Sequence, residues 1–353
     1  MTRIDRLRTL LHHKSLEGCF IKGIASIRYL TGFSGEDSLL FIDHKHCQLI
    51  TDARYTVQAT TETASTDCQI IEQQDGLWKA ASELELPKQQ LGFDGGYFTY
   101  DEFTQLSAVV TNRQWQSLSL AQLRRVKDKK ELQSLTRAVN ISDRAFEALL
   151  PELISGMTEL EAAAKLEYKM RLFGSEGVAF PTIVASGERS ALPHGTATQK
   201  PLTNGDFVTF DFGAVYEGYH SDITRTVVMG KAANWQQDLY QTVLAAQLLG
   251  CRSARAGLTG KQLDTIVRDY ISQAGYGQYF GHGLGHGVGL EIHEEPVVSK
   301  RGESELEAQS VITIEPGIYI PGKGGVRIED TVVLTNTGCQ ILTGVSKQLL
   351  EII

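Results

Sequence analysis

Apolar and polar positions in the first 120 residues switch repeatedly between two periods. Ile4, Leu7, Leu10 and Leu11 fall on one face of a helix over 4–11. Runs at 38–42 and 47–50 are rich in strand formers, and the polar tetrad Asp43-His44-Lys45-His46 separates them, which predicts two strands and a turn. Helical spacing returns over 55–64. This alternation predicts a small α/β domain over residues 1–120. The stretch AQLRRVKDKK at 121–130 carries no buried stripe, so a connection is placed near 115–125. Longer helical patterns follow at 131–150, 158–173, 234–254 and 259–274. Thr158 with Glu161 three residues on forms the sequence signature of a capping box. Strand-like runs lie at 207–212, 226–228, 311–314 and 327–334, so residues 121–353 read as an α+β domain. No internal repeat or low-complexity tract interrupts the chain.

Composition narrows the classes. The 353 residues are 42% hydrophobic and 22% charged, which is ordinary for a globular protein with sizeable cores. The formal net charge of −8 argues against nucleic acid as a partner, because phosphate binding needs a basic surface. The N-terminal apolar run is short and broken by charge and histidine, and no stretch approaches a membrane span, so neither a secretory signal nor a membrane partner is expected. The five cysteines, Cys19, Cys47, Cys68, Cys251 and Cys339, are odd in number and contain no CxxC pair. They fit unpaired thiols in a reducing compartment, and a cytoplasmic location is expected.

The chemistry concentrates in the second half. Five of the nine histidines lie between 194 and 293, and His282, His286 and His293 share the stretch GHGLGHGVGLEIHE. Carboxylates punctuate apolar, strand-like runs: Asp211 in FVTFDFG, Asp222 in YHSDITRT, Glu315 in VITIEPGIYI and Glu329 in GGVRIEDTVV. An acid in the middle of an apolar strand is expensive to bury unless it is paired or bound to metal. A single such acid is more often a surface-facing residue; four beside a histidine cluster point to a binuclear metal site. Four carboxylates would balance two divalent cations and one imidazole would complete the set. An oxygen-rich donor set without thiolates favours Mn2+, with Co2+ or Zn2+ as alternatives. Asp211 and Asp222 are expected on consecutive strands joined by a turn at 216–218. Other motifs fail: 281–289 is not GxGxxG, His293-Glu294 does not begin HExxH, there is no GxxxxGK[ST], and Gly187-Glu188-Arg189-Ser190 is no GxSxG elbow.

The ordered set Asp211, Asp222, His286, Glu315 and Glu329 resembles the metal ligands of the pita-bread metallopeptidases, which include methionine aminopeptidase, aminopeptidase P and prolidase. The motifs SDITRT, GHGVGLEIHE, TIEPGIY and GVRIED resemble the proline-specific branch. IRYLTGFSGEDSLLFI and TDARYTVQA look like that branch's creatinase-like N-terminal domain, so the resemblance covers nearly the whole chain. It implies a creatinase/aminopeptidase fold for 121–353 and cleavage of the peptide bond before proline in proline-containing peptides. It further implies that Asp211 binds one metal, Asp222 and Glu329 bridge two, and His286 and Glu315 complete the second. Glu315 would also be the general base. His194, His282 and His293 resemble the histidines that hold the scissile carbonyl or its oxyanion. Arg327 resembles a residue that orients substrate or ligand carboxylates. A homodimer is implied by the resemblance alone. Tyr319 and His220 read as an ordinary packed tyrosine and a turn histidine. The aminopeptidase reading is put first. Its rivals are a prolidase restricted to Xaa-Pro dipeptides, a metal-free relative such as a creatine-hydrolysing enzyme, and a catalytically silent binding protein on the same fold.

Overall fold

The computed structural model describes residues 1–353. The chain divides into two compact units, Met1–Arg124 and Arg125–Ile353.

The first unit is built on one six-stranded mixed sheet. Its spatial order runs Gln69–Glu72, Cys47–Thr51, Ser38–Asp43, Gly18–Ile21, Gln90–Asp94 and Gln114–Leu118. Only the hairpin Ser38–Asp43/Cys47–Thr51 and its pairing with Gly18–Ile21 are antiparallel; the remaining pairs are parallel. The central strands are buried along their whole length, as a sheet covered on both faces requires. Phe20, Phe41, Ile50 and Leu91 pack with Leu106 of the helix Tyr100–Val109 into its core. The helix expected over 55–64 spans Thr56–Glu62.

In the second unit two helix pairs cover two sheets. The helices Lys129–Leu149 and Glu159–Leu172 open with capping boxes, Asp128 with Glu131 and Thr158 with Glu161. Phe146, Leu149, Leu166 and Met170 of this pair pack on Phe210, Phe212, Ile223 and Val227. Those residues belong to a four-stranded sheet ordered Glu351–Ile352, Ile223–Met229, Phe207–Phe212 and Ile183–Ser186. The helices Asn234–Ser253 and Gly260–Gln273 set Leu239, Val243, Val267 and Ile271 against Ile312, Ile314, Val332 and Leu334. The latter four lie in a five-stranded sheet ordered Glu294–Val298, Gly285–Gly287, Val311–Ile314, Asp330–Leu334 and Cys339–Ile341. A hairpin, Gly317–Ile320 with Gly324–Arg327, completes the unit. No helix is long and apolar enough to cross a membrane.

Two expected strands change shape. The run at 226–228 is the end of a longer strand, Ile223–Met229. The run at 327–334 is broken at Ile328-Glu329, because the Glu329 N–H bonds to the Thr224 carbonyl of the other sheet, 3.1 Å away. Local periodicity carries no trace of that contact.

Candidate active site

The strand Phe207–Phe212 buries Phe210 and Phe212 in the helix-facing core, so period-two alternation turns Asp211 to the opposite face. Asp211 pairs in register with Thr224 of the next long strand. The expected turn at 216–218 is the tip of a small hairpin, Val215–Tyr216 with Tyr219–His220, after which Asp222 lies just ahead of Ile223–Met229. Of the four acids, then, only Asp211 lies inside a strand. Glu315 follows Val311–Ile314 where Pro316 ends the ladder, and Glu329 occupies the break before Asp330–Leu334. Strand ends give these side chains room to converge, which mid-strand positions on one sheet face would not.

His286 is carried by the three-residue strand Gly285–Gly287, wedged between Glu294–Val298 and Val311–Ile314. The wedge needs glycine at 285, since a Cβ there would collide with the Thr313 carbonyl. A register shift between His286 and Gly287 re-aims the imidazole.

Asp211, Asp222, His286, Glu315 and Glu329 all line one cavity of about 470 Å3, together with His194, His282, His293 and Arg327. Ligand atoms of Asp222, His286 and Glu329 lie within 4.8 Å of one another. His286 Nδ1 donates to the Gly287 carbonyl at 3.0 Å, which fixes the tautomer and leaves Nε2 as the lone-pair nitrogen. That nitrogen faces Asp222 Oδ2 and Glu315 Oε1, each 3.5 Å away. Burial holds the imidazole near pKa 4, so it is neutral. A lone pair directed at two carboxylates is repulsive unless a proton or a metal cation stands between them.

The carboxylates carry the same signature. Asp211 Oδ1 and Glu329 Oε1 are buried with no hydrogen-bond partner. Burial, then the charges of Glu329, Asp211 and Glu315, push Asp222 well above the usual carboxylate range. Burial, then Glu315 and Asp211, do the same to Glu329. Burial lifts Glu315 to about 8, against the field of Arg327. Two threonines hold the cluster in place. Thr224 Oγ1 donates to Glu329 Oε2 at 2.6 Å and accepts from Arg327 Nε at 2.9 Å. Thr313 Oγ1 accepts the His286 N–H at 3.1 Å and donates to Glu315 Oε1 at 3.3 Å.

Arg327 is 3% exposed and faces Asp211 Oδ2 through Nη2, while Nη1 donates to Tyr319 Oη at 2.8 Å and to the Pro193 carbonyl at 3.2 Å. Tyr319 is therefore no ordinary packed tyrosine. Its hydroxyl also meets His282 Nε2 at 2.8 Å, and His282 Nδ1 donates to the Gly283 carbonyl at 2.8 Å. Both ring nitrogens of His282 are thus engaged within the protein. His194 and His293 face the cavity from exposed positions, and His293 stacks edge-on against His286 with ring centroids 4.3 Å apart. His220 lies in the second strand of the small hairpin and not in its turn, with N–H and Nδ1 both donating to the Gly289 carbonyl. An aromatic residue in an apolar run reads as core, so sequence gave no signal for Tyr319 beyond its position four residues after Glu315.

Residues 133–336 match metallopeptidase family M24, and residues 3–126 match the creatinase/prolidase N-terminal domain. The chain belongs to metallopeptidase family M24. Relatives span its whole length. The structure of the Xaa-Pro dipeptidase of Bacillus anthracis superposes with a TM-score of 0.94 at 41% identity, covering 99% of this chain and 98% of that one. That of the X-Pro aminopeptidase of Thermotoga maritima gives 0.90 at 42% identity, covering 99% of each. The Xaa-Pro dipeptidase of Pyrococcus furiosus is 39% identical over 99% of both chains. The fold is thus the pita-bread fold with its creatinase-like N-terminal domain. Membership of M24 implies divalent metal ions, and the residues present fit them: two orphaned buried carboxylate oxygens and a lone-pair nitrogen converge where cations would supply the missing partners.

Proposed function

We propose that this M24 enzyme hydrolyses the peptide bond between an N-terminal residue and proline, with two divalent cations held by Asp211, Asp222, His286, Glu315 and Glu329. The observation that carries the reading is the convergence on one cavity of four carboxylates, two of them with an orphaned buried oxygen, and the His286 lone pair. The oxygen-rich, thiol-free donor set favours Mn2+ over Zn2+. When bound, such a pair of ions lowers the pKa of water and polarises the scissile carbonyl.

The chain's own groups supply the proton handling and the positioning. Glu315, held as a carboxylate beside the cations, takes the proton of the attacking water and delivers it to the proline nitrogen as the C–N bond breaks. His293 and His194 face the cavity at positions suited to the carbonyl and its developing negative charge. Arg327 orients Asp211 more than substrate, since its donors are taken up by Asp211, Thr224, Tyr319 and Pro193. His282 acts through Tyr319 on that same arginine. Phe180, Ile183 and Ile292 give the cavity an apolar wall that suits a pyrrolidine ring, which presents no N–H to be satisfied.

The names of the Bacillus anthracis and Pyrococcus furiosus relatives favour Xaa-Pro dipeptides over the longer peptides that the sequence reading put first. The Thermotoga maritima relative keeps longer peptides as the second reading. The unpaired cysteines agree with a reducing, cytoplasmic setting. The test is hydrolysis of Ala-Pro, Ala-Pro-Ala-Ala and Ala-Ala by protein dialysed against a chelator and then reloaded with Mn2+. Metal-dependent cleavage of the proline substrates is expected. Full activity in the metal-free protein, or equal cleavage of Ala-Ala, would overturn the reading.

A further inference from the structure

The loop that carries Ile292 and His293 into the cavity is anchored from an unexpected place. Lys127, the third residue of the second unit, lies 167 positions before Glu294, and its Nζ meets Glu294 Oε2 at 2.7 Å. Both side chains are 1% exposed. The backbone on each side is fixed. The Lys127 N–H bonds to the Gln309 carbonyl at 3.0 Å, and the Lys129–Leu149 helix is capped by Asp128 immediately after it. Across the pair, Glu294 Oε1 accepts the Glu291 N–H at 3.2 Å and so closes the turn Glu291-Ile292-His293-Glu294. Gly289 completes the enclosure. Its N–H bonds to the Glu291 carbonyl at 3.0 Å, and a Cβ at that position would lie 2.5 Å from Glu294 Oε2 and 2.8 Å from Lys127 Nζ.

A fully buried ion pair adds little stability over a packed apolar pair of the same volume, so its presence calls for another reason, and fixing one geometry is the best attested. Both residues that this turn holds between its ends, Ile292 and His293, line the cavity, and His293 packs on His286. We propose that Lys127 and Glu294 are positioning residues for His293: the pair, with Gly289 leaving room for it, sets the distance of the His293 ring from the carboxylate cluster. The inference rests on the peptidase reading, in which His293 serves substrate. Chemistry is sensitive to such placement, since a displacement on the order of 1 Å can cost about a hundredfold in rate.

The experiment is a double-mutant cycle on Mn2+-loaded enzyme, with metal content measured for every variant and wild-type cleavage of Ala-Pro as the control that separates failure of the function from failure of this proposal. Lys127→Met should lower kcat/KM by about tenfold or more with metal content unchanged, and by less than about threefold when His293 is already alanine. Gly289→Ala crowds the pair without leaving a buried charge alone, and it should show the same pattern more weakly should Lys127→Met fail to fold. Independently of activity, the His293 ring resonances in histidine-labelled protein loaded with diamagnetic Zn2+ in place of Mn2+, assigned through His293→Ala, should move in either variant while those of His12 and His13 stay put. Equal losses in both backgrounds, or an unmoved His293 signal, would overturn the proposal.

Discussion

Two sets of carboxylates in the second unit are opposites. Asp330 is fully buried, and Arg225, Lys347 and Gln247 donate to its two oxygens at 2.5–2.9 Å. Glu159 accepts from Ser186, Thr198 and Arg189, and Asp264 takes Arg268 bidentately together with the Leu284 N–H. Every one of these has its partners. Next door to Asp330, Glu329 leaves Oε1 bare, and Asp211 leaves Oδ1 bare. Burial therefore does not mark the chemistry. What marks it is the gathering of unsatisfied acids in one cavity: these three scaffold acids are paired by the chain, and the cavity acids are left for something the chain does not contain.

The largest effect expected from this contrast is on turnover. Glu315→Gln keeps the shape of the side chain and removes its ability to take a proton, so kcat on Ala-Pro should fall about a thousandfold. A variant within threefold of wild type would strip Glu315 of that role. The contrast itself is broken or sharpened by melting the metal-free protein. Asp330→Asn leaves Arg225 and Lys347 facing a neutral amide in place of their carboxylate, and it should destabilise by about 3–5 kcal/mol. Glu329→Gln removes one member of a repelling cluster, so it should raise the melting temperature by a few degrees while abolishing tight metal binding. Shifts of the same sign in both variants would dissolve the distinction. Within the cavity, His286→Ala should lower bound metal, read by elemental analysis, more than His293→Ala. Equal, full occupancy in both would reassign the imidazole ligand.

The convergent acids were legible in the sequence because charge within an apolar run is costly and therefore conspicuous. Helix starts were legible too, since Thr158 and Glu161 are a local signal that needs no tertiary help. The parts that escaped depend on contacts between distant positions. The break at Ile328-Glu329 exists because Thr224 of another sheet takes the Glu329 N–H. Tyr319 looked like core because only its hydroxyl, reaching Arg327 and His282, is unusual. In the first unit the strands Gln69–Glu72 and Gln114–Leu118 sit at the sheet edges and are partly exposed on both faces, so neither shows the alternation that betrays a strand. Lys127, one cation in a run of charges, looked solvated until its partner 167 residues away came into view.

Asp143 offers the smallest effect and a test of whether orphaned oxygens always signal ligands. It lies in the Lys129–Leu149 helix, 7% exposed, with Oδ2 accepting the Gly344 N–H at 2.7 Å and Oδ1 unpartnered. Burial pushes its carboxyl up to about 6, against the Gly344 hydrogen bond and the field of Arg225. It stands apart from the cavity lining, so no bound cation would relieve it. Between the unfolded value near 3.8 and the folded value near 6, the folded state holds a proton that the unfolded chain has released. Its contribution to stability therefore improves as pH falls through 6, and the full penalty applies above that pH. Asp143→Asn keeps the acceptor for Gly344 and removes the charge. It should stabilise by on the order of 1–3 kcal/mol at pH 7.5, with the gain shrinking as the pH is lowered toward 4.5. A gain that does not vary with pH would show that the shape of the side chain, not its charge, sets the stability there. A loss at pH 7.5 would show that the Arg225 attraction outweighs the burial.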